Sequence, residues 1–372
     1  MKRIPWWRRP AILHPMAGCD WKRFCREYRE NRPYTLRSLP SRLCAAAVVL
    51  YRAPMMNYER RRHDEAIRAH VLSAPPVFII GHWRSGTTHL HNLLSLDPRF
   101  AFMTFFQTAM PLDCFGERKI QRALLRAFLP RTRGIDNVEI NIDVPQEEEM
   151  ALQRFSEMSF YRTIYFPRRL LHYFRQSILS QAVTEAQVEE FKAAYAYLVR
   201  KISYAHGGGK QILFKNPAST ARMPLLLELF PDARFVHIVR HPHEVFLSMQ
   251  RLWQRLVPVF SWQNYDGLDF GEYTLTIYEE MMRRYLRDRE SVPPGQLTEV
   301  RYEDLDRAPA ETVASIYRGV GLPDGDAAAA RVAEHCAQAA PYRKNRHPED
   351  QDLRRRVAER WRFAFDAWGY EA

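Results

Sequence analysis

The stretch PVFIIGHWRSGTT, residues 76–88, decides the fold. Residues 76–80 form a short apolar run, rich in β-branched side chains and set behind a pair of prolines, which is the pattern of a fully buried strand. The run passes directly into residues 81–88 and then into a helical stretch that ends near Ser95. Strand, glycine-bearing turn and helix make up the context that a phosphate-binding loop requires. Gly86 permits close approach of the backbone to a ligand. The amides of Gly86, Thr87 and Thr88 would point at an anion with the helix dipole behind them, and the hydroxyls of Ser85, Thr87 and Thr88 add donors. A plain strand-to-helix turn capped by Ser or Thr uses the same residue types. Strand, spacing and the cation Arg84 coincide here, and together they favour the anion site.

The departures from a nucleoside-triphosphate loop are informative. Gly-x-x-x-x-Gly-Lys-Ser/Thr would place lysine at position 87, where this chain has Thr87. The strand expected over residues 234–239 is followed by Arg240, not by an aspartate that would hold magnesium. A phosphoryl-transfer enzyme needs both the lysine and the metal support. The expectation is therefore a metal-independent transfer, with Arg84 supplying fixed positive charge. A kinase-like nucleotide-binding enzyme and a non-catalytic, membrane-associated scaffold stand as alternatives.

Working outward, residues 100–106, 211–214, 234–239 and 296–301 read as further strands. Residues 219–230 and 243–253 read as helices, as does most of 117–206 outside a long loop at 131–145. Short buried strands alternating with helices argue for a parallel sheet covered on both faces. The expected class is α/β: a P-loop-like parallel sheet flanked by helices, with a helical N-terminal extension over residues 1–70 and helical acceptor-side insertions in the domain 71–372. Functional loops belong at the carboxyl ends of the strands. Arg240 sits at one such end, and Ser248 lies in the second turn of the helix that Pro242 starts. The two could converge on one phosphate, or Arg240 could simply pair with Glu244.

These motifs resemble the sulfotransferase superfamily, most closely a large bacterial branch with the loop Gly-His-Trp-Arg-Ser-Gly-Thr-Thr. The resemblance runs from about residue 70 to the C-terminus and rests on residues 76–94, 213–217, 230–248 and 300–305. It implies a P-loop-like α/β fold and 3′-phosphoadenylyl sulfate as donor. By that likeness Arg84 contacts the bridging region and the transferring sulfuryl group, and Lys215 steadies that group. Gly86, Thr87 and Thr88 match the cradle of the 5′-phosphosulfate, Arg240 and Ser248 match the pair that binds the 3′-phosphate, and Tyr302 matches a tyrosine near the adenine. Arg343 and Lys344 fall where relatives keep a basic loop over the 3′-phosphate, although Asn345 stands in place of the expected glycine. His89 replaces a tryptophan that some relatives set against the base.

In-line transfer requires the acceptor hydroxyl to lose its proton as it attacks. Some relatives carry a histidine two residues after the lysine, where this chain has Pro217. Carboxylates are the next option. The run Gln146-Glu147-Glu148-Glu149 opens a helix after Pro145, and one of these acids facing the site would have a raised pKa. Glu148 and Glu149 are the expected candidates, ahead of Asp113 and His82. Acids at a helix start also favour the dipole with no further role. Phe102, Phe105, Phe106, Phe160, Tyr161, Tyr165 and Phe166 lie where relatives form the acceptor pocket, and core packing is the commoner use of such rings. The acceptor group is expected to be a hydroxyl or an amine, and carbohydrate, lipid, phenolic and peptide hydroxyls all remain open.

Lys and Arg number 55 against 43 Asp and Glu, a net charge of +12. Residues 1–70 hold 16 of these cations and six acids, so they carry +10 of the excess. Such a segment either packs on the core as a helical extension, which is the expectation, or touches an anionic membrane surface. No nucleic-acid module is recognisable in it. Breaks in its helices are expected at Pro33, Pro40 and Pro54. Five scattered cysteines without a CxxC pair fit a reducing cytoplasm and argue against a disulfide framework or a zinc site. The start shows no apolar signal region. The apolar stretch 45–51 falls far short of the ~20 residues that span a bilayer. The expected location is cytoplasmic, with peripheral membrane contact as the variant.

Overall fold

The computed structural model describes residues 14–115, 118–128, 141–338 and 351–372. The chain divides into two compact units. The first comprises residues 1–73, 102–209 and 251–269, and the second comprises 74–101, 210–250 and 270–372. One edge between them falls close to residue 70, and the others fall within 71–372.

The second unit contains the sheet. Its strands are β1 (Val77–Ile80), β2 (Phe100–Ala101), β3 (Gln211–Lys215), β4 (Arg234–Val239) and β5 (Leu297–Arg301). All pairings are parallel, in the order β2-β3-β1-β4-β5. Ile79 stands opposite Lys215 on one side and Val236 on the other. All four side chains of β1 are buried, as expected of a parallel strand covered on both faces. The chain places β2 and β3 to one side of β1 and then β4 and β5 to the other. The direction of winding therefore reverses at β1, and ligands bind outside the carboxyl ends of the strands at such a switch point. Val77, Ile79, Val236 and Ile238 pack with Leu90 and Leu93 in one apolar cluster. This places the helix after β1 firmly against the sheet.

The first unit is helical. Its helices include α1 (Trp21–Glu30) and α2 (Leu39–Ala69). Asp20 caps α1 by accepting from the Arg23 amide at 2.8 Å. One side of this basic segment is packed inward. Arg52 forms a buried pair with Asp113 and donates to the carbonyl of Ala17 at 2.8 Å. Arg162 meets Glu27 at 3.1 Å, and Arg42 donates to the Tyr28 hydroxyl at 2.8 Å. The buried Trp262 donates from its indole nitrogen to Ser41 at 3.2 Å and stacks on His14 at 4.4 Å between ring centroids. The described residues before 70 are largely helical and pack within the first unit.

Two expectations about local structure are corrected. Residues 100–106 are not one strand. The strand ends at Ala101, because Thr104 and Gln107 cap one another and start a helix at Phe105. The Gln107 amide donates to Thr104 at 3.2 Å and the Thr104 amide donates to Gln107 at 2.9 Å. Nor do all three prolines break helices. Pro33 lies between α1 and α2, but Pro40 occupies the first turn of α2, where its missing N–H costs nothing. Pro54 sits inside α2 on its exposed side. No helix among the described residues is long and apolar enough to cross a membrane.

Candidate active site

Residues at the ends of four adjacent strands converge in the second unit. The loop after β1 is shaped by three left-handed backbone positions: Gly81 at φ 140°, Arg84 at φ 73° and Gly86 at φ 102°. Glycine is required at two of them by more than its φ. A Cβ on Gly81 would stand 2.3 Å from the carbonyl oxygen of Ile238, and one on Gly86 would stand 2.4 Å from the Tyr302 ring. Arg84 holds its φ without that freedom. Thr220 braces the loop from the β3 side, since its hydroxyl accepts from the Gly81 amide at 2.7 Å. Ser85 is buried and turned back on the loop, donating from its amide at 3.1 Å and from its hydroxyl at 2.8 Å to the His82 carbonyl. It therefore shapes the loop from inside.

Helix α3 (Thr87–Leu94) begins at Gly86, and no side chain caps it. The first amides of a helix have no intrahelical acceptor. They present partial positive charge, as a sulfate or phosphate oxygen requires. Gly86 and Thr88 are partly exposed at this point, as is Arg84, whereas Thr87 is buried. His89 is exposed.

Arg84 crosses to the neighbouring element and donates from Nε to the Ser248 hydroxyl at 2.8 Å. Arg240, just past β4, donates from Nη1 to the Arg84 carbonyl at 3.3 Å. Its guanidinium lies 4.6 Å from the centre of the Tyr302 ring. Tyr302 itself begins a short helix after β5 and covers Gly86. Arg84, Gly86, Arg240, Ser248 and Tyr302 thus form one contact group. Lys215 closes the neighbouring strand β3 and is buried.

Ser248 is bound to Arg84 here, not to Arg240, and Arg240 also pairs with Glu244 at 3.1 Å. That pair is partly exposed and of i,i+4 type, worth only about 0.3–0.5 kcal/mol. A phosphate offers Arg240 a stronger, bidentate partner. Arg343 and Lys344 lie outside the described residues.

Glu148 and Glu149 belong to the first unit and are fully buried. Their surroundings separate them. Glu149 accepts from the Phe160 amide at 2.7 Å and so holds the local backbone. Glu148 accepts from the Tyr195 hydroxyl at 2.7 Å through Oε1, while Oε2 has no side-chain partner among the described residues. Burial pushes the Glu148 carboxyl up to about 7, against the opposing pull of that hydroxyl. A carboxyl raised toward neutrality by burial has the proton affinity that a general base needs.

The other candidates are less suited. Asp113 is occupied by Arg52. His82 hydrogen-bonds the Trp83 carbonyl through Nδ1 at 2.8 Å, and burial lowers its pKa to about 4. Among the described residues, no group of three or more His, Cys, Asp or Glu is placed to hold a metal ion.

Sequence reasoning missed Thr220 and Tyr195. Both lie in stretches that signal helix or turn, and only spatial proximity gives them a role.

The Sulfotransferase family model matches residues 75–326. The omega-hydroxy-beta-dihydromenaquinone-9 sulfotransferase Stf3 of Mycobacterium tuberculosis (strain CDC 1551 / Oshkosh) is 32% identical over 303 residues, covering 81% of this chain and 76% of that protein. The same figures hold for Stf3 of Mycobacterium bovis. Among solved structures, sulfotransferase STF9 from Mycobacterium avium aligns with a TM-score of 0.71 at 20% identity, over 94% of this chain and 90% of that one. Sulfotransferase STF1 from Mycobacterium tuberculosis H37Rv aligns with a TM-score of 0.63 at 20% identity, over 91% and 90%. The structural likenesses establish the fold as the α/β sulfotransferase type, and the family match and the Stf3 identity establish descent. The chain belongs to the sulfotransferase family and is an enzyme that transfers a sulfuryl group.

Proposed function

We propose that the chain transfers the sulfuryl group of 3′-phosphoadenylyl sulfate to a hydroxyl group on an apolar, lipid-like acceptor. The observation that carries the donor half is the contact group of Arg84, Gly86, Arg240 and Tyr302 around an uncapped helix start. The residues fit the donor's two anionic ends. The amides of Gly86, Thr87 and Thr88 would take the 5′-phosphosulfate, with Ser85 keeping the loop in shape. Arg240 would bind the 3′-phosphate with Ser248, and Arg343 and Lys344 are proposed to add charge there. Tyr302 would flank the adenine. When bound, the donor supplies an activated sulfuryl group with adenosine 3′,5′-bisphosphate as leaving group.

Arg84 and Lys215 would meet the charge that develops on the sulfuryl oxygens and the leaving phosphate. Glu148 is the better of the two proposed bases, because Glu149 is already committed to the backbone. It would take the acceptor proton as the hydroxyl attacks. This chemistry uses no metal ion.

The acceptor half draws on the Stf3 relatives, whose name specifies an omega-hydroxylated dihydromenaquinone. A terminal hydroxyl on a long isoprenoid chain is the acceptor class proposed here. Such an acceptor resides in a membrane, so peripheral contact through residues 1–70 belongs to the same reading. Residues 71–372 are proposed as the transferase domain.

The test pairs two measurements. Calorimetry should show adenosine 3′,5′-bisphosphate binding without magnesium and no comparable binding of ATP with magnesium. Labelled donor should then mark a hydroxylated isoprenoid quinone more efficiently than a sugar or a simple phenol. ATP–magnesium binding in place of the bisphosphate would overturn the donor assignment. Faster labelling of the sugar or phenol would overturn the acceptor class alone.

A further inference from the structure

Helix α2 carries apolar side chains on two faces, and only one of them is covered. Ala45, Val49 and Met56 face inward and are buried. On the outward side Leu43, Leu50, Tyr51 and Tyr58 are each more than half exposed, with Leu39 beside them at 42%. Ala47 and Pro54 are exposed between them. At 100° per residue these positions fall within an arc of about 120° and extend along about 30 Å of helix. The charged residues between Leu39 and Glu59 are Arg42 and Arg52, and both are buried in contacts within the first unit. The outward face from Leu39 to Tyr58 therefore presents no charge to solvent.

The ends of the stripe are different. Arg32 and Arg37 are exposed before it, and Arg60, Arg61 and Arg62 are exposed directly after it. Arg61 stands on the line of Leu43, Leu50 and Pro54, at heptad spacing. The acids nearby are Glu30, Asp64, Glu65 and Glu190, with Glu59 buried against Lys201. Asp64 is engaged by Arg68 at 2.8 Å, and Glu30 meets Arg162 at 3.2 Å. Alongside α2, Gln121 of the helix Lys119–Phe128 hydrogen-bonds the Met55 sulfur at 3.0 Å, and its neighbour Ile120 is 69% exposed.

We propose that this outward face of α2 docks on an anionic lipid bilayer, with the helix lying in the plane of the membrane surface. A half-covered apolar helix flanked by arginines suits an interface whose interior takes Leu and Tyr and whose headgroups are negative. Charge complementarity selects the bilayer as occupant over a second copy of this chain. A second copy would bring the same five arginines against their own kind. The proposal names the surface behind the membrane contact of residues 1–70 and rests on that reading. It does not rest on the donor site.

The experiment is vesicle co-sedimentation of the full chain, with phosphatidylcholine alone and with phosphatidylcholine containing phosphatidylglycerol. Wild type should sediment with the anionic vesicles, less so as salt rises. The double variant Leu43→Glu and Leu50→Glu should lose about tenfold or more in vesicle affinity, since two leucines leave the acyl boundary. Replacing Arg60, Arg61 and Arg62 by Ser should weaken binding to the anionic vesicles selectively. Far-UV circular dichroism and bisphosphate binding confirm that each variant is folded. Absence of wild-type sedimentation, or unchanged sedimentation of the double variant, overturns the proposal. Light scattering covers the rival occupant. A dimer that the double variant converts to monomer, with vesicle binding intact, would assign the face to a second copy. Loss of bisphosphate binding by the wild type would instead strike the donor reading and leave the docking surface standing.

Discussion

Arg84 donates from Nε to the Ser248 hydroxyl at 2.8 Å, and this bond joins the loop after β1 to the helix after β4. Arg84 is also the non-glycine residue held at φ 73° in that loop, and its carbonyl accepts from Arg240 at 3.3 Å. One residue thus supplies a side-chain cation and a backbone acceptor to the same cluster. Arg84→Ala is expected to lower kcat by ~10²–10³, the usual loss when one preorganised charge is removed. Arg84→Lys should recover part of that loss, because charge returns without the Nε donor that reaches Ser248. Steady-state rates with labelled donor measure both. Equal rates for wild type and Arg84→Ala would remove Arg84 from the sulfuryl site.

Gly86 should tolerate nothing larger. An alanine Cβ would fall 2.4 Å from Cδ2 and 3.0 Å from Cε2 of Tyr302, at a φ of 102°. The left-handed backbone alone costs ~1–2 kcal/mol. Displacing the Tyr302 ring would also disturb Arg240, whose guanidinium lies over it. Gly86→Ala is expected to lower Tm and to weaken adenosine 3′,5′-bisphosphate binding severalfold or more. Adding Tyr302→Ala should relieve the clash and recover part of the Tm without restoring affinity. Calorimetry that finds the affinity of Gly86→Ala unchanged would refute the cradle.

Much of this cluster was legible because β3 and β4 are short, largely apolar runs closed or followed by a cation, and β1 is an apolar run followed by glycine. Lys215 and Arg240 announce strand ends, and Gly86 announces the turn. What escaped depends on contacts between distant residues. Ser248 was expected beside Arg240, but the hydroxyl is within reach of Arg84, and nothing in local sequence chooses between the two arginines. The mutual caps of Thr104 and Gln107 outweigh the β-propensity of the phenylalanines around them, so the strand expected over residues 100–106 stops at Ala101. Pro54 stays within α2 because tertiary packing holds the helix on both sides of it. Glu148 and Glu149 sit at the start of a four-residue helix, Glu149–Leu152, too short for periodicity to tell which side is buried.

The buried pair of Glu59 and Lys201 sets up a stability prediction within the first unit. Lys201 donates to Glu59 Oε1, and the Phe115 amide donates to Oε2 at 2.6 Å. Both side chains are nearly inaccessible. Removing one partner leaves an uncompensated buried charge, which costs ~3–5 kcal/mol. Glu59→Ala should therefore shift the denaturation midpoint strongly at constant m-value. The double variant Glu59→Leu and Lys201→Met should regain most of the loss, because an apolar pair of similar volume is often neutral. If the double variant is no more stable than Glu59→Ala, the pair contributes more than mutual charge compensation.

The role proposed for Glu148 carries a specific pH dependence. Its carboxyl is raised from 4.5 to about 7 by burial, so the folded state holds a proton that the unfolded chain has lost between those values. Stability from this group is present below about 4.5 and declines as pH rises to about 7. Above that, folding must keep a charged carboxylate out of water, at a cost on the order of 3 kcal/mol. Glu148→Gln should therefore be more stable than wild type at pH 8 and differ little at pH 4.5. Activity should move the opposite way. Only the ionised carboxylate accepts a proton, so wild-type kcat/KM should rise with pH through about 7. In Glu148→Gln that rise should vanish together with most of the rate. Glu149→Ala separates the roles: it removes the acceptor of the Phe160 amide, so its loss should appear in Tm, with the profile near 7 retained. A Glu148→Gln enzyme that keeps the wild-type rise near 7 would assign the proton transfer to another group, whatever its gain in stability.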